Sequence, residues 1–452
     1  MKQFIYILFL LVSFGQALFA QSVETELLEV RLLERMPFPL GKDWYQAQKE
    51  GWKAEVMKDK KDVRAWENYL SACDAEYWEE TDSLQKQKLD KERHKAFRKM
   101  QKCVPDTRFC YQRLLDQAKD KKKEEVLLQK LFSLKRTSEL DYVNDIIRCQ
   151  RAGQTDKIKE ICKEWYSSGL YSHDLLSYCY NELVGLQENA IFVSGAYATL
   201  CYHYLLQYGA GLFKNVQIVD ADDFNHPSSE SEFWREIGMD SEELPDWKTM
   251  AGGNSKSCSW DSETSPKWKG RNNPGAWYLT VKKNRPVYYP QFTSTSYLKE
   301  LKDSLYSEGL VFRYSTKPYD NLAVIRKNYE QKYLLDCLRQ PLVQNSSVYF
   351  SGINYSKNYI VSLSPLLRFY DASGDKNQAI KLRHLLQGIL DRREEDEIVS
   401  VERAEFNKLM KAVADRIKNM IKQGTATVTV NSIKEEYQQL IDPVEPSHYS
   451  VL

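Results

Sequence analysis

Apolar positions in the first third of the chain recur at helical spacing. Leu27, Leu28, Val30, Leu32 and Leu33 open the pattern, and Trp44, Tyr45, Trp52 and Val56 continue it along one face. The run from Asp62 through Trp66, Tyr69 and Ala72 places tryptophan, tyrosine and alanine at the offsets of the first helix of a tetratricopeptide-like hairpin. Pro105-Asp106 predicts the start of a further helix, because the first turn leaves unpaired the N–H that proline lacks. Tyr142 to Trp165 predicts a helix pair turning at Ala152-Gly153-Gln154, and Tyr359 to Leu390 a second pair turning at Ser373-Gly374-Asp375. The spacing is irregular, so these are degenerate hairpins rather than a regular array. Each buries its apolar face by stacking on a neighbour, which leaves an extended surface for partners.

Near residue 187 the periodicity changes. Ala190-Ile191-Phe192-Val193-Ser194 is a short apolar run followed by Gly195, a helical stretch from Tyr197 to Tyr208, and then Val216-Gln217-Ile218-Val219-Asp220. Strand, helix and strand within so few residues is a βαβ unit with two parallel strands. Trp277-Tyr278-Leu279-Thr280-Val281 and Val287-Tyr288-Tyr289 predict further strands, Tyr297 to Tyr306 a helix, and Gly309 to Tyr314 a closing strand. The expected fold is therefore multidomain α plus α/β: helical hairpins, tetratricopeptide-like, flanking a small mixed-sheet α/β domain. The expected boundaries are 21–186 for the first helical domain, 187–316 for the α/β domain, 317–442 for a C-terminal helical region and 443–452 for a tail. A polar insertion rich in Ser, Gly, Asn and Trp occupies 228–275 inside the α/β domain, as a mobile loop or a lid. Phe406 to Ile421 predicts an amphipathic helix with Leu409, Val413 and Ile417 on one face.

The first twenty residues change the setting. Lys2, an apolar run from Phe4 to Phe14, and a small-residue exit ending at Ala20-Gln21 have the order of a secretory signal peptide. Cleavage between Ala20 and Gln21 is expected, with Ala17 as the second choice. The other reading is an uncleaved anchor, which polar Gln16 disfavours by interrupting the run. The expected location is periplasmic, outer-membrane-associated or secreted. No later stretch is apolar enough to span a bilayer, so peripheral membrane association is the most that is expected.

Charge is balanced over the chain, with 64 Lys and Arg against 63 Asp and Glu, and gives no reason to expect nucleic acid. It is uneven locally: residues 84–136 carry 17 basic against 7 acidic side chains, and residues 220–247 carry 10 acidic side chains against Arg235 alone. These blocks read as solvated faces, or as surfaces that dock on each other or on outside partners. Nine cysteines lie mostly in apolar helical patterns, where they act as small hydrophobes. Cys103 and Cys110 are one candidate disulfide. The chain has no C-x-x-C, G-x-S-x-G, H-E-x-x-H or P-loop, and nothing calls for a cofactor or a metal.

Candidate ligand residues follow from the βαβ unit, since ligands gather beyond the carboxyl ends of parallel strands. Those ends carry Ser194, Gly195 and Thr199 on one side and Asp220, Asp222 and Asp223 on the other. Glycine admits a ligand close to backbone, and the following helix offers free N–H groups. The aspartates bind a hard cation or cap a helix and solvate a turn. No catalytic residue is assigned. His203, within Cys201-Tyr202-His203-Tyr204, reads as a packed helix histidine rather than a base. The 29 tyrosines and 10 tryptophans serve hairpin packing or a binding face for peptide or glycan.

Several of these segments also follow one another in a familiar order. Glu188 to Gly195, Thr199, Tyr204-Leu205, Val216 to Asp220, Asn284-Arg285-Pro286-Val287-Tyr288-Tyr289, Leu301 to Leu305 and Glu308 to Tyr314 together resemble the soluble C-terminal region of bacterial protein O-mannosyltransferase-like membrane proteins, mostly from the Bacteroidetes. The resemblance covers about residues 186–390. It implies an α/β fold held outside the cytoplasm. In that family a bundle of membrane spans precedes this region and is expected to carry glycosyl transfer; this chain shows no such bundle. The family pattern Gly-Asp-Asn-Asp-Thr stands here as Gly195-Ala196-Tyr197-Ala198-Thr199, with both acids replaced by alanine. Alanine neither ligates a cation nor moves a proton. The expectation is an exported, non-catalytic scaffold that binds a protein or glycan partner in the cell envelope. The alternative is an enzyme or accessory factor of glycan or glycoprotein metabolism with its site at the strand ends.

Overall fold

The helical periodicity of the N-terminal third becomes a set of capped helices. The computed structural model describes residues 27–30, 32–33, 36–37, 41–195, 197–221, 224, 274–291, 301, 304–340 and 350–395. The expected signal segment with Ala20 and Gln21, Ala196, Asp222, Asp223, most of the polar insertion, the expected helix over 406–421 and the expected tail lie outside the described residues. The chain divides into two units between Lys135 and Arg136.

In the first unit, β1 (Leu32–Leu33) and β2 (Met36–Pro37) form a two-residue antiparallel ladder. Five helices follow: α1 (Lys42–Lys58), α2 (Val63–Glu79), α3 (Ser83–Cys103), α4 (Arg108–Asp116) and α5 (Lys121–Ser133). The expected helix over the leucines from residue 27 is not there. Leu28 and Val30 instead give their amides to the side chains of Gln48 and Asn68, and Trp52 donates to the Leu28 carbonyl. Side chains of α1 and α2 thus supply the backbone partners that a helix would have supplied internally. Asp62, Asp82, Thr107 and Asp120 each accept a hydrogen bond from the first turn of the helix they precede. Thr107, rather than Pro105, sets the start of α4. Tyr45, Trp52, Trp66, Leu70, Phe97 and Met100 pack the core that α1, α2 and α3 share. The basic block on α3 to α5 keeps most of its lysines in solvent. Cys103 and Cys110 are free thiols, not a disulfide, with Cys110 buried and Cys103 half-buried.

The second unit opens with α6 (Glu139–Arg151), α7 (Thr155–Ser168) and α8 (His173–Leu183). Gly153, with φ at 65°, makes the expected turn between α6 and α7. Then come β3 (Ile191–Ser194), α9 (Tyr197–Tyr204) with a π-helical turn over Leu205–Gly209, and β4 (Gln217–Asp220). Gly209 lies where a Cβ would sit 2.7 Å from the Cys162 carbonyl, so only glycine lets this turn rest against α7. The remaining elements are α10 (Pro274–Trp277), β5 (Val287–Pro290), β6 (Leu305–Ser307), β7 (Val311–Tyr314), α11 (Asn321–Gln331), α12 (Asp336–Arg339), α13 (Lys357–Ser373) and α14 (Lys376–Glu395).

Five strands form one mixed sheet in the order β4-β3-β5-β7-β6. β3 runs parallel to both β4 and β5, and β7 runs antiparallel to β5 and β6. This bears out a small mixed-sheet α/β fold within a mostly helical chain. Two expected elements differ. Residues 277–281, expected as a strand, continue α10 into a π-helical turn over Tyr278–Lys282. Ala276, Tyr278 and Leu279 are buried and Val281 is exposed, so burial does not alternate as it does in a strand. Residues 305 and 306, expected as the end of a helix, begin strand β6 and pair with Tyr314 and Arg313.

Candidate functional site

β3 sits between β4 and β5, and the chain leaves it for β4 on one side before crossing to β5 on the other. This is a topological switch point, the place in an open α/β sheet where a crevice forms beyond the strand ends. The β3–β4 register pairs Ser194 with Asp220, so these two predicted residues do meet at one end of the sheet. Gly195 follows and is exposed, and Asp220 is half-buried. Thr199 does not line that end. It is buried in the first turn of α9, with its carbonyl accepting from the Cys179 thiol at 4.0 Å.

Ser194 is only 1 % exposed, and its side chain turns under α9 rather than out of the strand end. Strand alternation puts Phe192 and Ser194 on the same face. His203, from α9, meets both: its ring packs edge-to-face on Phe192 at 4.8 Å, and its Nδ1 lies 3.1 Å from Ser194 Oγ. The other nitrogen, Nε2, lies 2.9 Å from Glu182 Oε2 on α8. Serine, histidine and glutamate therefore form one continuous hydrogen-bonded chain across three elements. His203 is 0 % and Glu182 2 % exposed. Burial raises the Glu182 carboxyl above its usual 4.5, against the pull of His203.

The connectivity is that of a serine–histidine–acid triad with the two ring nitrogens exchanged. In such a triad the histidine takes the hydroxyl proton as a substrate carbonyl arrives. Here all three groups lie below the surface, and the hydroxyl is committed to the ring beneath the helix. A buried polar group needs partners, and each of these supplies them to the next. The arrangement holds β3, α8 and α9 together and keeps His203 in one orientation.

Cys179 lies one turn before Glu182 on the same face of α8. Its Sγ, a Glu182 oxygen and a His203 nitrogen fall within 4.8 Å of one another. Burial pushes this thiol well above its usual value, so it is not a reactive nucleophile. Glu182 and Cys179 escaped the sequence reading. The available signal was an acid on a helix face otherwise made of Leu175, Tyr178, Cys179 and Leu183, since a buried acid requires a partner.

A second buried polar group holds the β6–β7 turn. Glu308, 2 % exposed, accepts from Tyr319 at 2.6 Å and lies 3.7 Å from the Arg313 guanidinium. Asn321 and Asn328 donate to the Ser307 and Glu308 carbonyls at 2.8 and 2.9 Å, and Leu310 donates to Tyr333 at 3.1 Å. These bonds fix the shape of the Glu308-Gly309-Leu310 turn.

Compared with protein-family models, with characterised proteins and with solved structures, the chain matches none.

Proposed function

We propose that this chain is an exported envelope protein that works as a non-catalytic scaffold binding a protein or glycan partner. The observation that carries this reading is the state of Ser194. Its hydroxyl is served by the His203–Glu182 pair, and that relay is sealed into the fold. The sequence supports it from the other side, because Ala196 and Ala198 stand where the O-mannosyltransferase-like pattern has acids. The resemblance over about residues 186–390 and the N-terminal signal support the envelope setting. Among the described residues, no helix is long and apolar enough to cross a membrane.

Support for binding comes from aromatic rings left in solvent. Tyr166, 40 % exposed, stacks on Tyr171 at 5.8 Å with nearly parallel planes, and exposed His173 meets the edge of Tyr171. In the first unit Trp78 is 47 % exposed, beside Tyr77 and Lys86. Flat rings of this kind suit the apolar face of a sugar or a peptide side chain. Capture of one protein or glycan from envelope extract, lost when Tyr166 and Tyr171 are both changed to Ala in a folded chain, is the expected result. Recovery of nothing above background counts against the scaffold.

The second reading is an enzyme of glycan or glycoprotein metabolism, and the Ser194–His203–Glu182 connectivity is what favours it. A fluorophosphonate reagent decides between the two. The scaffold reading expects no labelling of Ser194 in the native chain, and stoichiometric labelling there establishes the enzyme.

A further inference from the structure

The cluster of Cys179, Glu182 and His203 has a use that the scaffold reading does not include. One thiol, one carboxylate and one imidazole make a donor set that suits zinc, which takes S, O and N ligands at tetrahedral angles. Cys179 and Glu182 leave one face of α8 a turn apart, and His203 reaches them from α9. The donor atoms already lie within 4.8 Å of one another. Two anionic ligands neutralise a divalent cation, so the loaded cluster carries no net charge, a condition for burial away from water.

Ser194 adds an independent feature. A metal-bound imidazole nearly always has its second nitrogen held by a hydrogen bond, which fixes the ring and the tautomer. Ser194 Oγ occupies Nδ1 at 3.1 Å, and Nε2 is the nitrogen turned toward Glu182.

We propose that Cys179 Sγ, a Glu182 carboxylate oxygen and His203 Nε2 fill three of the four tetrahedral positions of a site for a zinc-like divalent cation, with Ser194 as its positioning residue. On binding, the thiol proton and the hydrogen shared between Glu182 and His203 pass to water, and the cation takes their place. The site ties α8 to α9 beneath the sheet. It stabilises the fold and carries out no reaction.

Because the cluster is enclosed, the metal enters as the chain folds, and the test is refolding of the full chain with cobalt(II) as the zinc probe. About one cobalt per chain is expected after desalting, with the visible bands of tetrahedral cobalt and a near-ultraviolet thiolate-to-cobalt band. The loaded chain melts at a higher temperature than the chain refolded without metal. Cys179→Ser removes the thiolate band, whereas Cys162→Ser, another buried thiol, leaves it in place. Ser194→Ala keeps the band but weakens cobalt affinity by about 10- to 100-fold, an effect that a packing role alone does not produce. Wild-type chain that refolds with cobalt yet shows no thiolate band overturns the proposal, whatever the variants do. A band that persists in Cys179→Ser overturns it as well.

Discussion

Gly309 sits in the β6–β7 turn at φ 103°, a conformation that side chains with a Cβ avoid. A Cβ there also runs into the Tyr333 hydroxyl. Gly309→Ala is therefore expected to destabilise the second unit by more than ~1 kcal/mol, read as a lower urea midpoint. Beside it, burial holds the Glu308 carboxyl above its usual 4.5, against the Tyr319 hydrogen bond and the Arg313 charge. The folded chain thus holds that proton more tightly than the unfolded chain does. Its contribution is complete below about 4.5 and is lost as pH rises through the folded value. Glu308→Gln keeps an acceptor for Tyr319 and removes the titration. Its stability relative to wild type should rise between pH 4 and pH 7, at about the strength expected of a single linked group; a constant difference across that range contradicts this assignment. At the other buried cluster, His203→Ala takes the ring partner from both Ser194 and Glu182, leaving Glu182 its Tyr178 hydrogen bond. The expected cost is about 1–3 kcal/mol in urea unfolding, since a buried polar group loses its hydrogen-bond partner.

Between elements, the sequence made the βαβ unit plain and left its interior hidden. The apolar run ending at Ser194, the glycine after it and the run ending at Asp220 required two parallel strands, and the register pairs those two residues. Periodicity says which residues are apolar but not which polar ones are buried together. Ser194 reads as a strand-end ligand until His203, nine positions on, takes its hydroxyl beneath α9. Residues 277–281 misled for a related reason: a short apolar run has the same composition in a strand and in a buried helix, and only burial of neighbours such as Tyr278 and Leu279 together separates the two. The leucines from residue 27 misled because polar side chains of α1 and α2, distant in sequence, satisfy the Leu28 and Val30 amides without a helix. The cysteines were legible as packing residues. Cys73, Cys110, Cys149, Cys162, Cys179 and Cys201 are buried, and burial pushes Cys73 up to about 12 and Cys149 to about 11. In the native chain these thiols should resist a thiol reagent until denaturant is added, while among the described cysteines half-buried Cys103 and Cys337 react first. Mass mapping of the labelled cysteines checks the order.

At the scale of the whole molecule, the structural division falls between Lys135 and Arg136, so α6 to α8 share a unit with the sheet. Of these, α8 supplies Glu182 and Cys179, and Glu182 reaches Ser194 through His203. The export proposal predicts that the mature chain begins at Gln21, which N-terminal sequencing of protein from the envelope fraction reads directly. The scaffold claim itself is tested most directly by rescue of a gene deletion. Asp220, Asp222 and Asp223 are the acids of the alternative active site, and all three are changed to Ala in a chain whose fold is verified by circular dichroism. The scaffold predicts that this variant rescues as fully as wild type. A folded variant that reproduces the deletion phenotype contradicts the scaffold and assigns the strand end a chemical role.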